Sequence, residues 1–245
     1  HGVPAGARRA VATEVFRKAA NGGDYLVRVR RELGLPVEVV TQTEEARLGF
    51  NTAVALSGGP AEHVVCWDSG GASFQITSLE SSGALRSYVG ALGSGNCTAL
   101  LVEEVQGRCF ATVSSPNPVA TAEATRLVER LRQELAEPAP WLRGASVTAI
   151  GGPNSMFCVA AEALGATVYD QAAARRALEG VVGCSDEELA SRPYCLGDLK
   201  EPPGLIVPKI CLLLAVMEHC GIEEVRFCAS IGSCPGLLIS EELAS

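Results

Sequence analysis

The sequence lacks several features that would assign the chain to a well-defined class of protein. It has no Cys-x-x-Cys pair, only three histidines, no low-complexity segment and no internal repeat of fixed period. It also lacks an excess of positive charge, because 20 Lys and Arg stand against 28 Asp and Glu, a formal net charge of -8. That balance argues against broad binding to nucleic acid or to an anionic membrane surface.

Long hydrophobic runs are also absent. The longest, Leu205 to Met217, contains Pro208 and Lys209 and is too short to span a bilayer. No signal peptide is visible at the N-terminus, although the first residue is His1 rather than Met, which leaves the true start of the protein open. We therefore expect no membrane partner.

The ten cysteines are scattered along the chain, and many lie inside apolar runs. Cysteine in such surroundings behaves as a small apolar core residue. Free, buried thiols in a reducing compartment explain this pattern better than a disulfide framework or a zinc site. We therefore expect a cytoplasmic location.

Hydrophobic periodicity predicts a mixed α/β architecture, and the 47% of hydrophobic residues suffice for one large core or two smaller ones. The first part of the chain is predicted to hold a strand over Arg9 to Phe16, a helix over Asn21 to Leu33 ended by Gly34, and a strand over Val37 to Thr41. A strand–helix–strand unit of this length implies parallel pairing. Three short strands at 63–67, 73–79 and 84–90 are expected to follow as an antiparallel meander.

The second half is predicted to be mainly helical with strands between the helices. The expected elements are helices over Asn96 to Val105 and Pro118 to Ala136, a strand over Ser146 to Ile150, a helix capped by Asn154 and ending at Leu164, helices at 185–191 and 205–219, and a strand over Glu224 to Cys228. The dipeptides Ile231-Gly232 and Pro235-Gly236 are expected in a final loop.

The most informative motif is the stretch Asp68-Ser69-Gly70-Gly71-Ala72-Ser73, which lies between two apolar runs. A Gly-rich turn between strands can point its amides together at one small anion such as phosphate. A carboxylate directly before the turn suits a metal bound to that anion. Glycines in such turns also serve purely steric purposes, so an ordinary hairpin is the alternative.

Further motifs occur in an order that is more specific than any one of them. They are Ala12-Thr13-Glu14-Val15-Phe16-Arg17, Glu44-Glu45-Ala46-Arg47-Leu48, the Asp68 turn, Gly90-Ala91-Leu92-Gly93, Ala149 to Asn154, and Gly221-Ile222-Glu223-Glu224. This order resembles the exopolyphosphatase/guanosine-pentaphosphate phosphohydrolase (Ppx/GppA) family over nearly the whole chain.

The resemblance implies the ribonuclease H-like fold of the actin and sugar-kinase superfamily, in which two such domains face each other across a cleft. Residues 1–44 would be the C-terminal part of a truncated first domain, residues 45–236 a near-complete second domain, and residues 237–245 a C-terminal tail. The first domain's own phosphate turn would precede the Ala12-Thr13 strand, and the chain does not contain it. A cleft with one wall missing would bind and turn over substrate poorly.

The resemblance also implies roles for individual residues. Phosphoanhydride hydrolysis needs an in-line water, neutralisation of the phosphoryl charge, and a base or orienting group for the water. Glu45 matches the family's catalytic Glu and would be the base. Arg17 matches an Arg that contacts substrate phosphate, and Asp68 would hold Mg²⁺ directly or through water. The expected phosphate contacts from the two turns are Ser69, Gly70, Gly71, Ser73, Gly151 and Gly152.

Each of these roles has an ordinary structural alternative. Glu45 would also suit the first turn of a helix, where the dipole favours a carboxylate. Arg17 would suit a solvated position at a helix start, and Asp68 would suit a cap on the turn amides. The Gly151-Gly152 pair would suit a sterically tight strand end.

Three positions depart from the family pattern. Gln75 stands where the family has an acid, which removes one charge that could help to hold a metal. Pro153 follows the second Gly pair in place of Thr, and Ser233 to Gly236 replaces an Arg-Glu-Gly pattern. A lost metal acid could cost several kcal/mol of transition-state stabilisation.

Two hypotheses for function follow. The first is a Mg²⁺-dependent phosphohydrolase that acts on polyphosphate chain ends or on guanosine pentaphosphate, and the second is a catalytically silent module that binds phosphate or a nucleotide. Glu45 and Asp68 favour the first, whereas Gln75 and the missing first turn favour the second. A nucleotide kinase of the same superfamily ranks last, because no segment can be assigned to adenosine binding. Family members commonly pair, so a homodimer is one arrangement the resemblance allows.

Overall fold

The structure, a computed structural model, describes residues 3–4, 8–192 and 202–240. Its helices are α1 (Glu14–Lys18), α2 (Gly22–Leu33), α3 (Gln42–Ser57), α4 (Ser94–Leu100), α5 (Thr121–Glu134), α6 (Met156–Leu164), α7 (Gln171–Glu179), α8 (Asp186–Ala190), α9 (Ile206–Cys220) and α10 (Cys234–Ile239). Its strands are β1 (Val11–Ala12), β2 (Glu38–Val39), β3 (Val65–Ser69), β4 (Phe74–Leu79), β5 (Leu85–Gly90), β6 (Ser146–Gly151), β7 (Val168–Asp170) and β8 (Glu224–Ala229).

Six strands form one sheet in the order β5-β4-β3-β6-β8-β7, and β1 and β2 form a separate parallel pair. Strands β3, β6 and β8 run parallel at the centre of the large sheet. Strands β4, β5 and β7 pair antiparallel with their neighbours. Because parallel strands end at the same edge, the loops that follow Ser69, Gly151 and Ala229 all leave the sheet on one side.

The two faces of the sheet bury different layers, since successive strand residues point to opposite faces. Trp67 packs with Phe157 and the apolar helix α9 in the larger core. Its neighbour Cys66 packs with Phe50 and Ile150 in a smaller core beneath α3. Helix α3 is therefore fixed over the central strands. Its first turn carries the Glu44-Glu45 pair.

Helix α9 is long, and nearly all of its residues are buried. The segment Pro203–Cys220 has the length and composition needed to cross a membrane, but 72% of it is buried inside the protein. The prediction that the apolar run Leu205 to Met217 is too short to span a bilayer was wrong on length, because the residues at its two ends extend it to Pro203–Cys220. The burial of this segment identifies it as a core helix, and the absence of a membrane partner stays a prediction.

The nine cysteines in the described residues are all free, as the sequence predicted. Cys66, Cys97, Cys211 and Cys220 are buried, whereas Cys109 and Cys234 are exposed. The expectation of buried thiols therefore holds for only part of the set, and Cys195 lies outside the described residues.

Most predicted elements are present, including the parallel β1–β2 pair and the antiparallel meander of β3, β4 and β5. The long N-terminal strand is wrong. Only Val11–Ala12 is strand, and Glu14–Lys18 is helical. Glu14 forms ion pairs with Arg17 and Lys18 at helical spacing, which stabilises this turn of helix over an extended chain.

Three features of the second half differ from expectation. Ser155 rather than Asn154 caps α6, because the Ser155 hydroxyl accepts the Cys158 amide at 3.2 Å. Strand β7 and helix α7 were not predicted. The segment expected to be a loop at Pro235-Gly236 is helix α10, which packs against α3.

The predicted domain limits fall inside helices. Helix α3 spans the proposed boundary between residues 44 and 45, and α10 spans the one between residues 236 and 237. The division of the chain into domains stays a prediction.

The contact between α10 and α3 depends on the absence of a side chain at Gly236. A Cβ there would lie 1.9 Å from the Leu48 carbonyl oxygen, and the Gly236 amide donates to the Thr52 hydroxyl at 2.8 Å. We expect Gly236→Ala to lower the free energy of unfolding by about 1–3 kcal/mol, because α10 must move away from α3. Urea unfolding measures this change.

The matched control is Gly23→Ala in α2, where a Cβ would meet nothing within 4 Å. This variant should leave stability unchanged or raise it by up to about 1 kcal/mol, since Ala favours helix over Gly. Equal stabilities of the two variants would contradict the described packing of α10.

Candidate active site

A cavity of about 500 Å³ opens at the edge where β3, β6 and β8 end. Its wall is built by the turns after those strands, by the first turn of α3, and by parts of the N-terminal segment and α9. The predicted residues that line it are Glu45, Asp68, Ser69, Gly70, Gly71, Gly151 and Gly152. Arg17 and Ser73 do not line it. The fold thus brings together seven of the nine residues selected from sequence.

The two neighbouring glutamates of α3 have different tasks. Glu44 completes a capping box, in which its carboxylate accepts the Thr41 amide at 2.6 Å and its own amide donates to the Thr41 hydroxyl at 3.2 Å. Glu45 takes no part in that cap, and its carboxylate lies in the cavity wall with the side chain 14% exposed. The ordinary role of a first-turn carboxylate therefore belongs to Glu44, which leaves Glu45 for the site.

Arg17 holds Glu45 rather than facing the cavity. Its guanidinium donates to the Glu45 carboxylate at 2.8 Å, to the Val40 carbonyl at 2.8 Å and to the Glu14 carboxylate at 3.0 Å. Its side chain is only 19% exposed. These contacts fix the orientation of Glu45, so a direct contact between Arg17 and a phosphate would require it to leave at least one of them.

Asp68 sits at the end of β3, and α3 passes close above it. A Cβ on Gly49 of α3 would lie 3.4 Å from the Asp68 side chain, which is van der Waals contact, so α3 packs directly against this residue. Burial, and to a lesser degree the charge of Glu45, raises the pKa of Asp68 to about 7, although the Ser69 amide donates to its carboxylate. Two carboxylates from distant parts of the chain therefore lie in the wall of one cavity and interact electrostatically.

The Gly-rich turn offers fewer donors than the sequence suggested. The Gly70 amide closes the turn by donating to the Ser73 carbonyl at 2.9 Å. The Ser73 side chain is buried, and its hydroxyl accepts from the Gln75 amide at 3.4 Å. The Gly71 amide has no acceptor among the described residues and lies at the cavity, so it is the turn donor available to an anion.

Backbone contacts from behind hold this turn in place. The Gly95 amide donates to the Gly71 carbonyl at 2.9 Å. A Cβ on Gly93 would lie 2.2 Å from the Ala72 nitrogen, so the Gly90-Ala91-Leu92-Gly93 motif is needed for close packing. This motif therefore gives structural support to the Gly-rich turn after β3.

The second turn joins β6 to α6. The Gly152 carbonyl accepts the Ser155 amide at 3.0 Å, and the Gly151 carbonyl accepts the Ser230 amide from the loop after β8 at 2.9 Å. A Cβ on Gly151 would lie 2.5 Å from the Ser155 Cβ. The Gly pair therefore serves a sterically tight strand end, which was the alternative interpretation of this motif. It also lies in the cavity wall.

Sequence reasoning missed several residues of the wall. Lys209 of α9 lies in it, and so do Asn154 and the loop residues Ile231 to Cys234. The strand order could have identified the loop after β8, because this strand ends at the same edge as β3 and β6. Lys209 was considered only as an interruption of an apolar run.

Comparison with known proteins agrees with this geometry. The model of the Ppx/GppA phosphatase family matches residues 4–163, which is more than half of the chain. The chain belongs to the Ppx/GppA phosphatase family. This membership, expected from the order of the motifs, supports a phosphohydrolase role.

Solved structures of Ppx/GppA proteins share the fold. An Aquifex aeolicus family member has a TM-score of 0.71 at 23% identity, with 96% of this chain and 74% of that chain covered. An exopolyphosphatase from Cytophaga hutchinsonii has a TM-score of 0.67 at 16% identity, with 94% and 73% covered. The predicted ribonuclease H-like fold is thereby confirmed.

One of the three departures of this Ppx/GppA chain from the expected family pattern, Gln75, lies beside the site. Gln75 of β4 pairs directly with Asp68 of β3 and is 2% exposed. Directly opposed residues on antiparallel strands project from the same face of a sheet. An acid at position 75 would therefore stand next to Asp68, where this chain has a neutral amide.

The residues present fit a Mg²⁺ ion. Among the described residues no group of three or more His, Cys, Asp or Glu is placed to hold a metal. Mg²⁺ in phosphate sites commonly uses only one or two carboxylates and completes its shell with water and phosphate oxygens. Asp68 supplies one such carboxylate in the cavity wall. Burial, with a smaller contribution from the charge of Glu45, raises its pKa, and a cation beside it would favour the ionised form.

The raised pKa of Asp68 predicts how stability depends on pH without metal. The folded protein keeps the Asp68 proton up to about pH 7, whereas the unfolded chain releases it near the ordinary value of 3.8. The free energy of unfolding should therefore fall as pH rises from 4 to 7, and the decrease should be complete above pH 7. Asp68→Asn removes this contribution.

Thermal unfolding of both proteins in EDTA between pH 4.5 and 8 measures the effect. The Tm of Asp68→Asn should rise relative to wild type as pH increases. A constant difference in Tm across the series would show that Asp68 ionises as easily in the folded protein as in the unfolded chain.

Proposed function

We propose that this protein hydrolyses the terminal phosphoanhydride bond of a linear phosphate chain, either inorganic polyphosphate or guanosine pentaphosphate. The observation that carries the proposal is the meeting of Glu45, Asp68 and two Gly-rich turns in one cavity. Their convergence supplies a base, a metal-binding carboxylate and backbone donors, which are the components that phosphoryl transfer to water requires.

In this mechanism Glu45 accepts a proton from the attacking water. Arg17 acts through Glu45, because its contacts with Glu45 and the Val40 carbonyl hold the carboxylate in one orientation. Fixing the base in this way lowers the entropy lost when the water is aligned. Glu45 thereby holds the attacking water in a fixed direction towards the phosphorus atom.

The transferred phosphoryl group would lie against the Gly71 amide and the turn after β6. The Gly71 amide is oriented before substrate arrives, because Gly93 and Gly95 hold the turn from behind. Preorganised donors of this kind stabilise developing charge at little further cost. Asp68 would hold Mg²⁺, which supplies charge neutralisation on the phosphate oxygens.

The test of this function compares two adjacent glutamates. Glu45→Gln should lower kcat for Mg²⁺-dependent phosphate release by about 10²-fold or more, as expected for loss of a general base. Glu44→Gln is the matched control, because Gln at this position preserves the capping box and the same change of charge occurs one residue away. Its activity should stay close to wild type.

Assays with polyphosphate, guanosine pentaphosphate and pyrophosphate separate the substrate classes. Release from polyphosphate alone would identify an exopolyphosphatase, and release from the nucleotide alone would identify a guanosine-pentaphosphate phosphohydrolase. Equal losses in Glu44→Gln and Glu45→Gln would contradict the role of Glu45. The cytoplasmic location and the homodimer stay predictions.

A catalytically silent module that binds phosphate or a nucleotide is the second candidate. Gln75 favours it, because a neutral amide stands opposite Asp68 where a second acid would strengthen metal binding. Under this alternative the protein binds a phosphate chain but does not release phosphate at saturating Mg²⁺.

Gln75→Glu tests whether metal affinity limits activity. The added carboxylate beside Asp68 should lower the Mg²⁺ concentration for half-maximal activity by about tenfold, the equivalent of roughly 1.4 kcal/mol. It should also lower the Tm in EDTA, because the folded protein then holds two buried acids side by side and no metal ion neutralises them. Mg²⁺ titrations of phosphate release and of Tm measure both changes.

Gln75→Met is the control, because it removes the amide without adding charge. It should leave the Mg²⁺ dependence unchanged. A Mg²⁺ requirement that is the same in all three proteins would mean that position 75 does not contribute to the metal site.

A further inference from the structure

Glu14 is a carboxylate that the proposed mechanism does not use, although it is as buried as the base itself. Its side chain is 14% exposed, the same fraction as that of Glu45. Its carboxylate forms ion pairs with Arg17 and Lys18. The hydrogen bond with Lys18, and to a lesser degree those with Arg17, lowers the pKa of Glu14 although burial opposes this. Glu14 is therefore a negative charge at neutral pH, and it contacts the arginine that holds the base.

The Arg17 guanidinium has two edges, each of which can donate a pair of parallel hydrogen bonds to one carboxylate. Glu14 occupies the side edge, because its Oε2 accepts from Nε at 3.3 Å and from Nη2 at 3.0 Å. The other edge is divided, since Nη1 donates to the Val40 carbonyl at 2.8 Å and Nη2 donates to Glu45 at 2.8 Å. Neither edge is thus free for a paired contact with both oxygens of Glu45.

Glu45 is consequently held through one of its two carboxylate oxygens. Its Oε2 accepts from Arg17, whereas its Oε1 accepts no hydrogen bond from the residues that the structure describes. A carboxylate that accepts paired N–H bonds from a guanidinium is stabilised in its charged form and is a weaker base. The single contact therefore orients Glu45 and leaves Oε1 available to a water in the cavity that Glu45 lines.

We propose that Glu14 is a positioning residue for the hydrolysis, which acts on the base through Arg17. By occupying the side edge of the guanidinium, Glu14 limits Glu45 to one hydrogen bond from Arg17 and keeps the second Glu45 oxygen available for the proton of the attacking water. The inference rests on the proposed function, since it concerns the same base. It also gives helix α1, none of whose residues lines the cavity, a part in the reaction.

The competing explanation is that Glu14 only stabilises α1, through its ion pairs at helical spacing. The two explanations differ in whether the effect of Glu14 depends on Glu45. A loss of helix stability lowers activity by the same factor whatever residue stands at position 45, whereas a residue that acts through Glu45 has no effect once the base is gone. A double-mutant cycle distinguishes the two.

The experiment measures kcat and KM for Mg²⁺-dependent phosphate release by Glu14→Ala, both with Glu45 present and in the Glu45→Gln background. With Glu45 present, Glu14→Ala should lower kcat by about 10-fold and change KM by less than about twofold, because the base is misaligned while the phosphate contacts remain. In the Glu45→Gln background, Glu14→Ala should leave kcat unchanged.

Two further variants act as controls. Glu14→Gln keeps an oxygen acceptor for the side edge of Arg17 and should recover most of the activity lost in Glu14→Ala. Glu32→Ala is the matched control, because Glu32 also pairs with two arginines, Arg28 and Arg31, on the exposed helix α2. Its kcat should equal that of wild type.

Crystal structures of wild type and Glu14→Ala give a readout that does not require activity. In Glu14→Ala the freed edge of Arg17 should turn to Glu45 and donate to both of its oxygens, where wild type has one such bond. An unchanged contact between Arg17 and Glu45, or the same loss of kcat in both backgrounds, would overturn the proposal. A paired contact in Glu14→Ala of a protein that releases no phosphate would support the effect of Glu14 on Arg17 and reject the hydrolase.

Discussion

The convergence of Asp68 and Glu45 on one cavity is the constraint on which the rest of the site depends. Three parallel strands end at one edge of the sheet, and α3 packs across them with only a hydrogen atom at Gly49 between its backbone and Asp68. This packing brings a carboxylate from the start of a helix to one at the end of a strand. Burial of Asp68, and to a lesser degree the charge of Glu45, disfavours the ionised form of Asp68 and raises its pKa to about 7.

The neighbouring contacts are understandable as responses to that concentration of negative charge. Arg17 is held between Glu45 and Glu14, so the base is paired with a cation on the side away from the cavity. The pKa of Glu14 is lowered, chiefly by its hydrogen bond with Lys18 and further by Arg17, which keeps this second acid ionised. Lys209 contributes positive charge from the opposite sequence half, at the turn after β6. Acidic side chains, a lysine and backbone amides are thus assembled in one cavity wall from separate elements.

The sequence predicted the larger features well, because they depend on local patterns. The meander, the Gly-rich turn and the long helices follow from alternating and helical periodicity, and the order of motifs identified the family and the fold. The errors arose where particular side-chain or backbone contacts, rather than hydrophobic periodicity, decide the structure. Residues 14–18 are helical because of ion pairs made by Glu14, and α10 exists because Gly236 fits against Leu48. For the site, the sequence predicted that Arg17 and Ser73 contact phosphate. The fold places the Arg17 guanidinium against Glu45 and buries Ser73, and neither residue lines the cavity. Lys209 gave no signal in sequence, since nothing in an apolar run shows which face meets a cavity.

The most direct measurement of the central claim is a crystal structure of the protein with Mn²⁺ in place of Mg²⁺ and with methylenediphosphonate, a phosphate-chain analogue that cannot be hydrolysed. The account predicts an anomalous Mn²⁺ peak at the Asp68 carboxylate and a terminal phosphonate beside the Gly71 amide, with Glu45 facing its phosphorus atom. Metal and phosphonate bound elsewhere on the protein, with the cavity at Asp68 filled only by solvent, would contradict it.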